Sequence, residues 1–212
     1  MNPSRITGRY RPWSILALGL LALLLAGMAP RQALAHPLDE YLQVTYITVA
    51  PTQIEVELDL TPGVLLASQV LPEIDTDGNQ QGSDAEGRAY VDMVMRDVAL
   101  RVDGQPLALE VTWIEVPTYL NLQAGYGTIR VFAFAVATLP EGMTDTRQVA
   151  YANGFAPTAP TYQVNAFVDR DAPITLGKQN RDEIQQSMTV DIAVDGPLAA
   201  SGPDDTPVQT AA

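Results

Sequence analysis

In YLQVTYITVAPTQIEVELDL, residues 41–60, apolar and polar side chains alternate through two runs separated by PTQ. Successive side chains of a strand point to opposite faces, so each run reads as a β-strand with one buried face, and the pair as a hairpin. Downstream the period changes. In TPGVLLASQVLPEI, Thr61 suits an N-cap, Pro62 suits the first helical position, and Val64, Ala67 and Leu71 recur at helical spacing. Gly63 and Pro72 keep that helix short. After an acidic stretch, DAEGRAYVDMVMRDVAL returns to helical spacing through Tyr90, Val91, Val94, Met95 and Val98. Strand signals then resume. Asp103-Gly104 marks a tight turn inside ALRVDGQPLALEVTWIEV, GTIRVFAFAVATL is a long run, and RQVAYANGF, TYQVNAFVD, PITLGKQN and QSMTVDIAV are shorter ones. The expected fold is mainly β: an antiparallel β-sandwich with a helix-loop-helix, residues 63–98, inserted between strands two and three.

The two ends read differently from this middle. Arg5, Arg9 and Arg11 precede the apolar run SILALGLLALLLAGMA, and ALA at residues 33–35 follows it. A basic start, an apolar core and a small-x-small site are the pattern of a secretory signal peptide, removed after Ala35. The run is shorter than the roughly 20 residues that a spanning helix needs. No spanning segment is expected after cleavage, and the expected location is periplasmic or extracellular, in a bacterium. From Asp195 onward, DGPLAASGPDDTPVQTAA lacks a hydrophobic period. The β domain is therefore expected over residues 36–196 and a linker-like tail over 197–212.

Composition removes several chemistries. The chain has no cysteine, which excludes thiolate catalysis, Cys-based zinc sites and iron–sulfur clusters, and His36 is its one histidine. A Ser-His-Asp triad or a multi-histidine metal site would have to be built on that residue. Acidic residues number 25 against 12 basic, for a formal charge of −13. The leader takes basic residues only, so the exported part is more acidic still. Such a balance argues against nucleic acid or an anionic membrane surface as partner and suits cations.

One stretch concentrates the acids. In IDTDGNQQGSDAEGRAY, a twelve-residue calcium loop counted from Asp75 puts its oxygen ligands at positions one, three, five, seven, nine and twelve. These positions hold Asp75, Asp77, Asn79, Gln81, Ser83 and Glu86, with Gln81 contributing its backbone carbonyl. Helical patterns flank the loop on both sides, as in an EF-hand. Two positions depart from the pattern. Position six, where the chain turns sharply and glycine is usual, is Gln80, and position eight, usually a branched apolar residue, is Gly82. Holding a non-glycine residue left-handed costs on the order of 1–2 kcal/mol. The competing reading is structural: Ser83 to Glu86 is S-x-x-E, a capping box for the following helix.

The segments AHPLDEYLQVTYITVAPTQIEVELDLTPG, IDTDG, LRVDGQPL and TYQVNAFV together resemble the exported N-terminal domain of bacterial nickel/cobalt transporter-like membrane proteins. The resemblance runs from His36 to about Val194. It implies a domain joined through a linker to a membrane-embedded transport domain, and a calcium-type loop with glycine at position six and an aliphatic residue at eight. Gln80 and Gly82 depart from both.

Three function classes follow. The first is a non-enzymatic exported module with a weak calcium loop, accessory to a membrane-embedded nickel/cobalt transporter. The second is a transition-metal-binding or delivery domain in which His36, as the new N-terminus, chelates nickel, cobalt or copper through its amine and ring nitrogens. Only Asp39 or Glu40 lie near enough in sequence to add oxygen ligands. The third is a carboxylate-dependent hydrolase working through paired acids, for which no spacing singles out a pair.

Overall fold

The computed structural model describes residues 38–139 and 146–194, all within one compact unit. The leader, His36 and the tail lie outside the described residues. The hairpin forms as its alternation dictates: β1 (Tyr41–Val49) pairs antiparallel with β2 (Gln53–Pro62), from Tyr41 opposite Pro62 to Val49 opposite Ile54. Every second residue of β1 is buried, beginning at Tyr41. Helices α1 (Ala67–Ile74) and α2 (Asp84–Met95) follow. The chain continues through β3 (Val98–Val102), β4 (Gln105–Leu107), β5 (Glu110–Glu115), helix α3 (Tyr119–Gln123) and β6 (Ile129–Val136). The last strands are β7 (Arg147–Asn153), β8 (Pro160–Val168), β9 (Ile174–Leu176), β10 (Asn180–Arg181) and β11 (Ser187–Val194).

The strands make two sheets, an architecture consistent with a β-sandwich. One has the order β5-β6-β2-β1-β8; the other has the order β10-β11-β7-β3-β4, with β9 also paired to β11. The pairing is antiparallel throughout except between β1 and β8, which run parallel from Tyr41 opposite Pro160 to Val49 opposite Val168. An all-antiparallel sandwich is thus corrected at that one pair. The chain leaves β7 at the helix-covered end, so β8 enters the first sheet in the same direction as β1.

The inward face of the five-stranded sheet is covered by two different partners. Toward the hairpin turn, Ile47, Val49, Ile54 and Val56 pack on Leu100, Val149 and Val190 of the second sheet. Toward the other end, Leu58, Leu60 and Ile129 pack on Leu71 and Ile74 of α1 and Val91 and Val94 of α2. Between these two apolar cores lies a buried polar seam. Asn153 donates from Nδ2 to Gln43 Oε1 at 2.8 Å and accepts the Phe155 N–H on Oδ1 at 3.0 Å. Gln43 Nε2 donates to Phe155 O at 3.1 Å, and Tyr162 donates its hydroxyl to the same carbonyl at 2.8 Å. Thr45 Oγ1 meets Tyr151 Oη at 2.9 Å. The polar groups of Gln43 and Asn153 are thereby satisfied where water does not reach, which is what permits their burial.

The free edge of β8 is closed by side chains rather than by another strand. Gln179 offers an amide to Ala166 as a peptide would, accepting from its N–H at 3.0 Å and donating to its carbonyl at 2.8 Å. Arg181 Nε donates to Val164 O at 2.6 Å. An exposed row of backbone donors and acceptors would otherwise invite pairing with another chain.

Three expectations need correction. Thr61 and Pro62 do not start a helix: they end β2 opposite Leu42 and Tyr41, and Thr61 Oγ1 bonds Thr128 Oγ1 at 2.8 Å instead of capping. Helix α1 begins at Ala67 without a side-chain cap. Val98, assigned above to the second helix, opens β3, because α2 stops at Met95. The apparently single run after Asp103-Gly104 is cut in two, β4 staying in one sheet and β5 crossing to the other. Both turn residues have positive φ, 50° and 77°, as a two-residue hairpin of this kind requires.

Replacing Asn153 with alanine strands one acceptor on Gln43 and the N–H of Phe155 in the interior. The expected loss is about 3 kcal/mol, from two unsatisfied buried groups at roughly 1–3 kcal/mol each. Urea unfolding of N153A against wild type measures it; a loss below about 1 kcal/mol would mean that water replaces the amide.

Candidate metal centre

The last helical bond of α1 runs from the Asp75 N–H to Leu71 O at 2.8 Å, and the helix ends because Asp75 itself leaves the helical region with φ −87° and ψ 80°. Ile74 is buried against the sheet, which carries the Asp75 carboxylate inward with it; Asp75 is 8 % exposed. The loop then folds around that carboxylate. Asp75 Oδ1 accepts the Asn79 N–H at 3.1 Å and Oδ2 accepts the Gln80 N–H at 2.9 Å. To point both amides at one group the chain turns left-handed twice, at Gly78 (φ 70°) and at Gln80 (φ 61°). Glycine adopts this conformation freely; glutamine does so at a cost.

Asp77 is exposed and held within the loop, its Oδ1 accepting the Asn79 N–H at 3.0 Å and its Oδ2 accepting Asn79 Nδ2 at 2.8 Å. Asn79 Oδ1 accepts the Gln81 N–H at 2.7 Å. The far side of the loop is closed by Glu86. Its Oε1 accepts the Thr76 N–H at 2.8 Å, the Thr76 hydroxyl at 3.1 Å and the Asp77 N–H at 3.3 Å. Its Oε2 accepts the Ser83 N–H at 3.1 Å and the Ser83 hydroxyl at 2.8 Å. Ser83 Oγ in turn accepts the Glu86 N–H at 3.3 Å, completing the capping box of α2. One side chain therefore caps α2 and brackets the end of α1. These bonds favour the ionised form: donation from the Ser83 hydroxyl, then from the Ser83 N–H, leads in lowering the Glu86 pKa to about 2.

Carboxylate oxygens of Asp75, Asp77 and Glu86 lie within 4.8 Å of one another. Ligands 2.3–2.6 Å from a calcium ion can be at most about 5 Å apart, so one ion could touch all three. The donor set is hard oxygen, which suits calcium and does not suit nickel or copper. Of the other residues read as ligands, Asn79 is tied to Asp77 and to the Gln81 N–H, Gln81 is exposed, and the Ser83 hydroxyl is engaged with Glu86. Two contributors went unread in the sequence. Gly78 makes the first left-handed turn, which the Asp-Gly pair at 77–78 signals. Thr76 ties the start of the loop to Glu86, and no spacing rule points to it. Just past the loop, α2 sits tight against the segment that follows β5 at Gly87, where a Cβ would collide with Val116 Cγ2 and one of the two would have to shift.

No protein-family model matches this chain, and no curated protein matches it either.

Two outcomes follow from the loop geometry. The lowered Glu86 pKa means that the folded state holds this carboxylate ionised below the ordinary value of 4.5. Its contribution is complete above about pH 4.5 and is lost as pH falls toward 2, because the unfolded chain takes up the proton first. Melting curves across that interval should show wild type losing its advantage over E86Q; a pH-independent difference would contradict the bonding described. At the second left-handed turn, Gln80→Gly should relieve the backbone strain and stabilise the fold by about 1 kcal/mol. That is roughly 3 °C in Tm, and no change would place the strain elsewhere.

Proposed function

We propose that the chain is a non-enzymatic exported module whose loop from Asp75 to Glu86 takes calcium weakly and, in doing so, stiffens the α1–α2 pair. The observation that carries this reading is the convergence of Asp75, Asp77 and Glu86 in a loop wound by two left-handed turns between two helices. Weak binding is what the bonding supports. A carboxylate offers about four lone-pair positions, and Glu86 already accepts five contacts, so an ion gains Glu86 only by displacing donors. Extracellular calcium modules operate at about 10⁻⁴–10⁻³ M, so a weak site still functions there.

The resemblance to the exported domain of nickel/cobalt transporter-like membrane proteins supports an accessory role beside such a transporter. Among the described residues no helix is long and apolar enough to cross a membrane. The saturation of Glu86 also favours a second reading, in which the loop is an ion-independent clasp joining α1 to α2. Delivery of nickel, cobalt or copper through His36 would draw on residues outside those described, and the oxygen donors of the loop do not favour it.

Calorimetric titration of calcium into chelator-treated residues 36–212 separates the two readings. Asp77→Ala is the informative variant, since it removes an exposed ligand and leaves the Glu86 bracket intact. Saturable binding at millimolar calcium or tighter, lost in D77A, is the expected result. No heat and no rise in Tm at several millimolar calcium would leave the clasp as the function of the loop.

A further inference from the structure

The outward face of the five-stranded sheet does not read as an ordinary solvated surface. Three of the chain's four phenylalanines, Phe132, Phe134 and Phe167, stand at its outward positions, and only Phe155 is in the core. Tyr46 and Trp113 join them; Trp113 is 50 % exposed and packs on Phe132 with ring centroids 5.3 Å apart. Strand register arranges these rings about a column of acids. Glu55 lies between Thr48 and Phe134 on the neighbouring strands, Glu57 between Tyr46 and Phe132, and Asp59 between Val44 and Arg130. Acids thus recur at alternate positions of β2, about 7 Å apart, with rings on both flanks of Glu57 and on one flank of Glu55.

The chain itself shows what this column accepts. Arg130 forks onto Asp59, with Nε–Oδ1 at 2.7 Å and Nη2–Oδ2 at 3.0 Å, and reaches Glu57 at 3.0 Å. It serves one end only. Glu55 accepts Gln53 Nε2 at 2.7 Å but has no ion-pair partner among the described residues. Burial and the Asp59 charge hold the Glu57 carboxyl above its ordinary range even with Arg130 beside it. More positive charge is accommodated here than the chain supplies. A second copy of the same face would set acids against acids, and an anionic membrane would be repelled likewise.

We propose that this face is a docking surface for an extended, arginine- or lysine-rich polypeptide segment, whose cations alternate along β2 while their stems and charged heads lie on the flanking rings. Alternate side chains of an extended segment share the spacing of Glu55, Glu57 and Asp59. Aromatic faces attract cations, arginine most of all, and cover their aliphatic stems. Trp113 borders a concavity shared with Gly82 and Ser83 at the end of the acidic loop, but Glu55, Glu57 and Phe134 do not line it, so with chelator present the column on β2 is tested apart from any cation in the loop.

The probe is a blocked octapeptide of alternating arginine and threonine, titrated calorimetrically into the full chain with chelator present. The same peptide with citrulline for arginine keeps the shape and removes the charge. The expected result is binding of the arginine peptide alone, weakened roughly fivefold or more by Glu55→Gln and by Phe134→Ala. Phe167→Leu, at the sheet edge, serves if F134A fails to fold. Glu183→Gln, an exposed acid in the turn between β10 and β11, should change affinity less than about twofold. Equal weakening by E55Q and E183Q would overturn the proposal in favour of general attraction to an acidic protein. Binding that ignores the phenylalanine substitutions, or no binding, overturns it too. So would a concentration-dependent dimer that E55Q strengthens, which would assign the face to a second copy of this chain.

Discussion

Gln43 and Thr45 sit in the middle of β1 on its buried face, and the way their polar groups are satisfied organises the rest of the molecule. An inward glutamine is tolerable only if donors and acceptors meet it in fixed places. Those places are supplied by Asn153 at the end of β7 and by the Phe155 carbonyl just beyond. The seam therefore fixes how far along β1 the second sheet extends. On one side of it the sandwich closes with Ile47, Val149 and Val190; on the other the helices take over most of the covering, with Val98 of β3 at the boundary. Apolar residues at both seam positions would bury more hydrophobic surface, yet nothing would then set the sheet offset.

The helices inherit their placement from the same strand. Tyr41, two residues before Gln43, bonds Tyr90 of α2 through their hydroxyls at 2.7 Å, and Phe155 meets both rings edge-on. Burial raises the pKa of both tyrosines, that of Tyr90 to about 12, so the pair stays neutral at any ordinary pH. Phe155 thus takes part in the seam through its backbone and in the helix core through its ring. The acidic loop is mounted on this assembly, with Ile74 buried at one end and Gly87 pressed on Val116 at the other. A short loop with fixed ends has few ways to arrange its carboxylates.

What can be read in advance follows from how local each determinant is. The alternation in residues 41–60, the Asp103-Gly104 turn and the Ser83–Glu86 box are set by neighbours in sequence, and each forms as written. The loop backbone is legible to the same degree: the strain expected at Gln80 is there, with φ at 61°. The departures involve partners far away in the chain. Thr61-Pro62 carries a helix-start signal, but Leu42 and Tyr41 hold it in β2, so pairing overrides local preference. The alternation does break between Gln105 and Glu115, but at Trp113 inside β5, where the pairing with β6 shifts register, and not where the chain changes sheet. The parallel pairing of β1 with β8 and the five-residue α3, capped by Thr118, depend on topology that periodicity does not encode. The outward phenylalanines are equally hidden, because apolar residues in a strand read as core until register places them.

Glu86 joins the cap of α2 to the folding of the loop. Its oxygens hold the N-cap residue Ser83 and the opening residues of the loop at once, so the carboxylate cannot turn toward a cation without loosening one of them. Linkage makes the effect reciprocal: if a cation displaces those donors, then conditions that strengthen the cap weaken the ion, and the ion weakens the cap by the same free energy. Asp75 faces no such conflict over its position, because the turn at Gly78 and Gln80 is built around it. The loop is in this sense preorganised at its start and committed elsewhere at its end. An ion held by Asp75 and Asp77, with Glu86 left on its own donors, is the arrangement that would disturb the fold least.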